Sequence, residues 1–190
     1  MNLSASGVTD AGLAHLEGCK SLQSLDLSST QVTDEGLKSI KDLPCLQTLI
    51  LVSCDSVTSA GLKGVKRLLS LNLSRSKDWN SPGGVTDANL EGLKDLHSLE
   101  TLDLTGNRVG DEGLNHLRGL RSLQRLFLSQ TAVTDAGMEC LLNLQNLQAL
   151  EVSDTRVTDN CLKRIKKAFP KCKLLNVGPN DDGDYLLQIP

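Results

Sequence analysis

Apolar residues along the chain follow two alternating spacings. In one, Leu25 and Leu27 lie two residues apart, which predicts the buried face of an extended strand. In the other, Leu37, Ile40 and Leu43 lie three residues apart, which predicts one face of a helix. Each unit of the sequence therefore predicts a short strand, a turn, a helix and a return to the next strand.

The units form a repeat. The phrase V-T-D-x-G-L recurs in variants that begin at Val8, Val32, Val57, Val85, Val109, Val133 and Val157. Leucines at equivalent positions, such as Leu22 and Leu46, lie 24 residues apart. One unit cannot bury its own leucines, whereas stacked units can. The pattern predicts an α/β solenoid, a right-handed horseshoe arc of about seven to eight repeats with a parallel concave sheet and convex helices. It should span residues 1–178, with residues 179–190 as a C-terminal cap or tail.

The repeated phrase also carries signals for the start of a helix. Thr33 is placed to cap free N–H groups of the first turn, and Asp34 lies where the helix dipole favours a negative charge. Val32 can pack on Leu37 across that turn. The same Val-Thr-Asp…Leu pattern recurs in other units and predicts a helix start there too.

The wording of the repeat resembles leucine-rich repeat proteins, in particular the cysteine-containing subtype. The slot where many subtypes carry Asn holds Thr30, Cys54, Thr131 and Thr155 here. Similar TDxGL repeats occur in F-box and Amn1-like proteins and in bacterial TDAGL arrays. The resemblance implies a non-enzymatic module for protein–protein interaction. More specifically, it implies a substrate-recognition part of an F-box-type ubiquitin ligase; a structural or self-assembling scaffold is the alternative.

Two units depart from the regular length. The third is three residues short near positions 65–68, and the fourth contains seven extra residues within an insertion loop, residues 74–84. This loop contains Trp79. Insertions into a solenoid map to one edge, where an exposed tryptophan would anchor a partner. Alternatively, Trp79 folds back as a plug over the gap left by the shortened unit.

The two ends of the solenoid raise separate expectations. The chain begins at the level of a strand, with no polar cap before Met1. We expect a partner or a second copy to cover this end, or the chain to be cut from a longer one. At the other end, one extra residue precedes Cys172. This spacing predicts that Leu175 and Val177 point inward from the last strand and that Leu174 and Asn176 point outward.

Residues that flank the buried leucines should face the concave side of the sheet. Most are small and polar, but Ile50 with Val52 forms one apolar patch, and Phe127 beside Arg125 forms another. Aromatic and arginine side chains are enriched at interface hot spots, although an isolated exposed apolar residue is also ordinary. Acidic residues in the groove favour a basic or mixed peptide surface. The candidate partner-binding residues are Asp26, Ile50, Val52, Asn72, Trp79, Asp103, Arg125, Phe127 and Glu151.

No constellation in the sequence supports catalysis. None of the three histidines pairs with a nucleophile in a motif, and the six cysteines include no C-x-x-C. We therefore expect no catalytic residues, no metal, no cofactor and no small-molecule substrate. Reduced structural thiols and the absence of a secretion signal favour the cytoplasm or nucleus. No apolar run is long enough for a membrane span.

The charge balance disfavours nucleic acid as the main partner. The net charge is −3 and aromatic residues make up 2% of the chain, so neither a general field for polyanions nor stacking platforms are expected. One basic cluster, residues 163–173, could bind nucleic acid or an anionic surface. The alternative is a solvated helix face balanced by the acidic tail.

Overall fold

The strands form one continuous sheet. The computed structural model describes residues 1–75, 83–176 and 187–188. The strands in these ranges are β1 (Ser24–Asp26), β2 (Thr48–Ile50), β3 (Ser70–Asn72), β4 (Thr101–Asp103), β5 (Arg125–Phe127), β6 (Ala149–Glu151), β7 (Lys173–Asn176) and β8 (Leu187–Gln188). They are ordered in the sheet as they are in the chain. β1 to β7 pair in parallel, and β8 pairs antiparallel with β7.

The strand register stacks one leucine of each unit upon the next. This row consists of Leu25, Leu49, Leu71, Leu102, Leu126, Leu150 and Leu174. All members are buried, whereas the residues on either side of each face outward and are half-buried or exposed. Alternation along each strand and stacking between strands thus produce a leucine row behind a polar sheet face.

Short helical segments lie on the opposite side of the leucines. The α-helices are α1 (Asp10–Ala14), α2 (Asp34–Leu37), α3 (Asp111–Leu114), α4 (Asp135–Met138) and α5 (Asp159–Ala168). Most continue into 3₁₀ turns: His15–Gly18, Lys38–Ile40, Asn115–Gly119 and Glu139–Asn143. The third and fourth units have only the 3₁₀ segments Ser59–Leu62 and Asp87–Leu93. The shortened third unit leaves its helical turn through Gly64, whose φ of 103° suits glycine.

The two hydrophobic spacings meet in a single core. Leu37 and Ile40 from the helical side and Leu25 and Leu49 from the sheet are all fully buried in one cluster. That cluster runs from the first unit to the last. The fold is therefore an α/β solenoid in which successive units share one continuous aliphatic layer, as the repeat predicts.

The predicted register of the last strand is wrong by one residue. Leu174 was expected to face outward, but it pairs with Leu150 and is 2% exposed, while Leu175 takes the outward position opposite Glu151. The extra residue of this unit is accommodated before Cys172. One residue fewer then separates Cys172 from the strand, which begins at Lys173. The two changes cancel. A prediction that counts the usual spacing forward from Cys172 therefore assigns each residue of the strand to the wrong face of the sheet.

The far end of the sheet is followed by a strand from the C-terminal tail. The backbone of β8 pairs with Leu175 and Asn176 at the end of β7. This pairing occupies part of the edge that β7 would otherwise present. The capping role of residues 179–190 stays a prediction, because most of this segment lies outside the described residues.

Candidate functional site

A row of outward side chains crosses the sheet at the end of each strand. In register these are Asp26, Ile50, Asn72, Asp103, Phe127 and Glu151. All are half-buried, as is Val52 just beyond β2. Arg125 lies on the same face, at the start of β5. The structure therefore brings the sequence-predicted residues together on one face, except for Trp79, which lies outside the described residues.

Phe127 is surrounded by charged groups that are held in place. Its two neighbours in register are Asp103 and Glu151. Arg125 is exposed, and its Nε donates a hydrogen bond to Thr101 Oγ1 at 2.9 Å. Glu151 Oε1 accepts a hydrogen bond from a serine of β5's following turn at 3.0 Å. An aromatic ring thus lies beside a cation and an anion whose positions are restrained, which is chemistry typical of an interface hot spot.

Several acidic and amide residues of this row also shape the turns that follow the strands. Asp26 Oδ1 accepts hydrogen bonds from the N–H of Ser28 at 2.9 Å and from its hydroxyl at 2.6 Å. Asn72 and Asp103 each accept the N–H two residues further on, at 2.8 and 2.9 Å. These are Asx turns, which redirect the chain locally. The sequence-based prediction treated these residues as binding groups alone and missed this role.

A second set of polar residues locks successive helical segments together. Asp111 Oδ1 accepts the N–H of Thr134 at 2.8 Å, and its Oδ2 accepts the Thr134 hydroxyl at 2.7 Å. The same two bonds join Asp10 to Thr33, Asp34 to Thr58 and Asp135 to Thr158. From sequence, Asp34 was assigned only a favourable place in the helix dipole. Its bonds reach a residue of the following unit, which that local rule does not consider.

The aspartate in this bridge also explains the glycine in the T-D-x-G-L phrase. A Cβ atom added to Gly61 would lie 2.6 Å from Asp34 Oδ1 and 2.8 Å from Asp34 Cα. Gly36 and Gly137 approach the aspartate of the preceding unit in the same way. At these three junctions, the aspartate of one unit therefore lies against both the threonine and the glycine of the next. The N–H of Thr158 contributes most to holding the pKa of Asp135 below its usual value.

The junction between the third and fourth units lacks this bridge. Ser59 stands where an aspartate is expected; it is fully buried, and its hydroxyl has no hydrogen-bond partner within the described part of the chain. Asn89 stands where a glycine is expected, and its Oδ1 accepts the Thr86 N–H at 3.1 Å and hydroxyl at 2.8 Å. Gly92 allows close approach to the backbone of Ser59. The threonine of the fourth unit thus finds its acceptor, Asn89, within the same unit. Close contact between Gly92 and the backbone of Ser59 takes the place of the bridge between the two units.

Arg75 holds the two ends of the inserted segment. Its Nη2 lies 2.5 Å from Asp55 Oδ1, and its other terminal nitrogen donates to the carbonyl oxygen of Gly83. The Arg75 side chain is only 9% exposed, so the ion pair is largely shielded on the arginine side. The sequence identified Arg75 only as one charge of the loop. The remainder of the insertion, residues 76–82, lies outside the described residues.

Asn107 holds the chain where it returns from the insertion. It is 1% exposed, and its Nδ2 donates to Leu73 O at 2.8 Å while its Oδ1 accepts the Val85 N–H at 3.0 Å. These two backbone groups lie on opposite sides of the inserted segment. Asn107 was not singled out from sequence, although it occupies the slot held by Thr131 in a later unit.

The two edges of the solenoid carry opposite charge. We define the return edge as the C-terminal ends of the helical segments together with the stretches that lead to the next strands: residues 17–23, 41–47, 63–69, 94–100, 118–124, 143–148 and 166–172. Its charged residues are mostly basic: Glu17, Lys20, Lys41, Asp42, Lys63, Lys66, Arg67, Lys94, Asp95, Glu100, Arg118, Arg121, Lys166, Lys167 and Lys171. On the opposite edge, where the chain leaves the sheet, the charged residues described are mostly acidic: Asp10, Asp34, Glu35, Asp55, Arg75, Asp87, Arg108, Asp111, Glu112, Asp135, Asp154, Arg156 and Asp159. The helix dipoles favour this separation, because each helical segment begins at the acidic edge.

The six cysteines and the C-terminal basic cluster are further groups that could carry chemistry. All six thiols are free, and no group of three His, Cys, Asp or Glu residues suited to a metal lies within the described ranges. Burial, with a smaller effect of Asp135, raises the pKa of Cys161 to about 11, and burial raises that of Cys172 to about 11. In the basic cluster, Arg164 pairs with Glu139, so part of the positive charge of the cluster is already neutralised. No helix in the described part of the chain is long and apolar enough to cross a membrane.

Comparisons with known proteins agree on the class of fold. Residues 18–41 and 95–115 match a family profile described as leucine-rich repeat. No curated protein sequence matches the chain significantly. The structure is similar to internalin C2 from Listeria monocytogenes, with a TM-score of 0.69 and 25% identity over 96% of this chain and 74% of that one. The internalin InlF from the same organism gives a TM-score of 0.60 and 22% identity over 92% of this chain.

These matches support the α/β solenoid described above and show that it is similar to the solenoids of leucine-rich repeat proteins. The present chain spans 52% of the InlF chain, so it corresponds to about half of that structure. The narrower resemblance to the cysteine-containing TDxGL subtype is not confirmed by these matches, which include bacterial internalins.

Proposed function

We propose that the solenoid is a non-enzymatic module that binds a protein partner on its concave sheet face. The observation that carries this proposal is the outward position of Phe127 on β5, in register with Asp103 and Glu151 and beside the exposed Arg125. Covering a half-buried aromatic ring yields hydrophobic free energy, and the flanking charges supply orientation. The leucine-rich repeat fold supports the proposal, because solenoids present extended concave surfaces for binding.

The hydrogen bonds of the face indicate the kind of partner that fits. Asp26 and Asp103 each use one carboxylate oxygen to hold their own turns, so their charge is available but their position is fixed. Ile50 and Val52 add an apolar patch two strands away from Asp103. A partner segment with apolar side chains and interspersed basic groups would therefore complement the face along several strands.

The proposal is tested by site-specific crosslinking. A photoreactive side chain replaces Phe127 in one variant and Leu142 in a matched control, because Leu142 is also an exposed apolar residue, at 40%, but lies on the helical side. We expect one discrete crosslinked protein from position 127, and we expect that the same protein is not crosslinked from position 142. Once the partner is identified, Phe127→Ala should weaken its affinity about tenfold or more while changing stability little.

Two outcomes would contradict this proposal. Identical crosslinks from positions 127 and 142 would show that the sheet face is not selective. A loss of several kcal/mol of folding free energy in Phe127→Ala, of the size seen for core aromatics (about 3–5 kcal/mol), would make the ring a packing residue.

The role in an F-box-type ubiquitin ligase is a finer proposal, and its support is the T-D-x-G-L wording of the repeat. Reconstitution with a ubiquitin-ligase core and the identified partner would test it, with partner ubiquitination as the expected result.

The free state of all six thiols supports the proposed location in the cytoplasm or nucleus. Fractionation of cells that express the native gene would test that location.

Self-association is the alternative that the N-terminal unit supports. Leu3, Val8 and Leu22 pack on the core but are only partly buried. A second copy that covers these side chains would remove apolar surface from water. Sedimentation over a range of concentrations tests this alternative, and a monomer at every concentration would rule it out.

A further inference from the structure

The return edge has hollows that are lined by basic side chains. One hollow of about 570 Å³ is lined by Arg118, Arg121 and the polar side chains of residues 143, 145 and 146, with no acidic residue among them. Another of about 460 Å³, between the first and second units, is lined in part by three lysines, among them Lys20 and Lys41, and by two acidic residues, at positions 17 and 42. A third, of about 290 Å³, lies between the second and third units, and its lining has three basic residues, at positions 41, 66 and 67, against one acidic residue, at position 42.

Several of these cations have no partner within the described part of the chain. Among the described residues, the side chains of Lys20, Lys41 and Arg121 make no hydrogen bond and no ion pair. Arg118 donates only to the thiol sulfur of Cys140, at 3.4 Å. Asn146 Nδ2 donates to Arg121 O at 2.8 Å, which restrains the wall of the hollow of about 570 Å³. The return edge therefore presents hydrogen-bond donors and positive charges that have no partner within the described ranges.

We propose that the return edge is a second binding surface, separate from the concave face, which takes an acidic peptide segment rich in Asp and Glu from a partner protein. Carboxylates of the segment would pair with Lys20, Lys41, Arg118 and Arg121. At about 4.8 Å per strand, the edge from the first to the fifth unit spans roughly 20 Å, a length that about six extended residues cover.

The charge distribution favours an acidic peptide over a nucleic acid or an anionic membrane. The chain as a whole carries a net charge of −3, so a long polyanion meets repulsion outside the edge. A short acidic segment responds mainly to charges within a Debye length of about 8 Å, where the return edge is basic. Within the described residues, the one Phe, Tyr or Trp side chain of the edge is Phe169, which packs in the core and is only 9% exposed, so bases could not stack on it.

The experiment measures binding of a short fluorescein-labelled poly-glutamate peptide to the full chain by fluorescence anisotropy at low and physiological salt. We expect saturable binding that weakens as salt rises. Arg118→Glu combined with Arg121→Glu should weaken it by about tenfold or more, because each reversal turns an attraction into a repulsion. Arg156→Glu on the acidic edge is compared with Arg121→Glu alone, which has the same charge change, and it should alter affinity by less than about twofold.

A second pair of variants protects the test against loss of folding. Because Arg118 contacts Cys140, Lys20→Glu combined with Lys41→Glu is measured in parallel; neither lysine has a partner to lose. Phe127→Ala should bind the peptide as the parent does, which separates this surface from the concave face.

Three results would overturn the proposal. The first is absence of peptide binding at low salt, which would leave the basic residues with the role of stabilising helix C-termini. The second is an equal effect of Arg156→Glu, which would indicate a diffuse effect of net charge. The third is tighter binding of a single-stranded oligonucleotide or of anionic lipid vesicles than of the peptide, which would assign the edge to those ligands instead.

Discussion

At the scale of single residues, glycine and aspartate of the repeated phrase act as a pair across units. Gly61 and Gly12 occupy the same position in their units but have different surroundings. A Cβ on Gly61 would overlap Asp34, including its backbone, whereas a Cβ on Gly12 would meet only Val8 Cγ1 at an ordinary 3.6 Å. The same substitution should therefore have opposite effects at the two positions.

We predict that Gly61→Ala lowers the free energy of unfolding by about 2 kcal/mol, because the backbone of Asp34 must move. Gly12→Ala should instead raise it by up to about 1 kcal/mol, because alanine favours helix and nothing obstructs it. Urea unfolding of both variants measures the difference. Equal destabilisation by the two substitutions would show that packing between units does not require the absence of a side chain at position 61.

Sequence reasoning succeeded for residues whose role is local and failed where the partner lies in another unit. The burial of Leu25 and Leu37 follows from spacing within one strand or helix. The bond from Asp34 to Thr58 depends on how far one unit is offset from the next, and local patterns contain no information on that offset. The face that carries Phe127 was predicted because alternation along a strand is local too.

At the scale of elements, the inserted segment shows how an irregular stretch is accommodated. Asn107 joins the backbone on both sides of it, at Leu73 and at Val85. Thr131 occupies the same slot in a regular unit, where its hydroxyl makes one hydrogen bond, to Leu128 O at 2.6 Å. The larger amide thus replaces the hydroxyl where a gap in the stack must be bridged.

We predict that Asn107→Ala lowers the free energy of unfolding by about 3 kcal/mol, because it leaves buried backbone groups without partners. Thr131→Ala, the matched control, should cost about 1 kcal/mol. Hydrogen exchange should show faster exchange in residues 83–89 of the Asn107 variant alone. Similar costs and unchanged exchange in the two variants would mean that Asn107 does not hold the returning chain.

The last strand illustrates a limit at the same scale. Its leucines suggested one register, yet one residue gained before Cys172 and one lost after it placed Leu174 inward. Two compensating changes leave a plausible leucine pattern in either register. Only pairing with β6 distinguishes the two, and pairing is a property of the assembled sheet.

At the scale of the whole molecule, the continuous core divides the thiols into two classes. Cys19 and Cys45 are exposed, whereas the other four, Cys54, Cys140, Cys161 and Cys172, are buried. Because the thiolate is the reactive species, the raised pKa values of about 11 for Cys161 and Cys172 suppress their reaction further.

We predict that a thiol reagent at neutral to mildly alkaline pH rapidly modifies only Cys19 and Cys45 in the native protein, and all six cysteines in denaturant. The Cys19→Ser, Cys45→Ser double variant should lose the rapid phase. Raising the pH towards 11 should increase the reaction of Cys161 and Cys172, provided that the fold persists. Rapid modification of a buried cysteine at neutral pH would show that the aliphatic layer opens locally.

The aspartate–threonine bridge also bears on how such a chain changes in length. Where one unit supplies the carboxylate and the next supplies the threonine and glycine, as from Asp111 to Thr134, deletion or duplication of a whole 24-residue unit leaves every donor with an acceptor. Ser59 and Asn89 break that interchangeability. We therefore expect the regular stretches to tolerate gain or loss of a whole unit, whereas a regular unit placed directly after the third would leave its threonine without the aspartate acceptor.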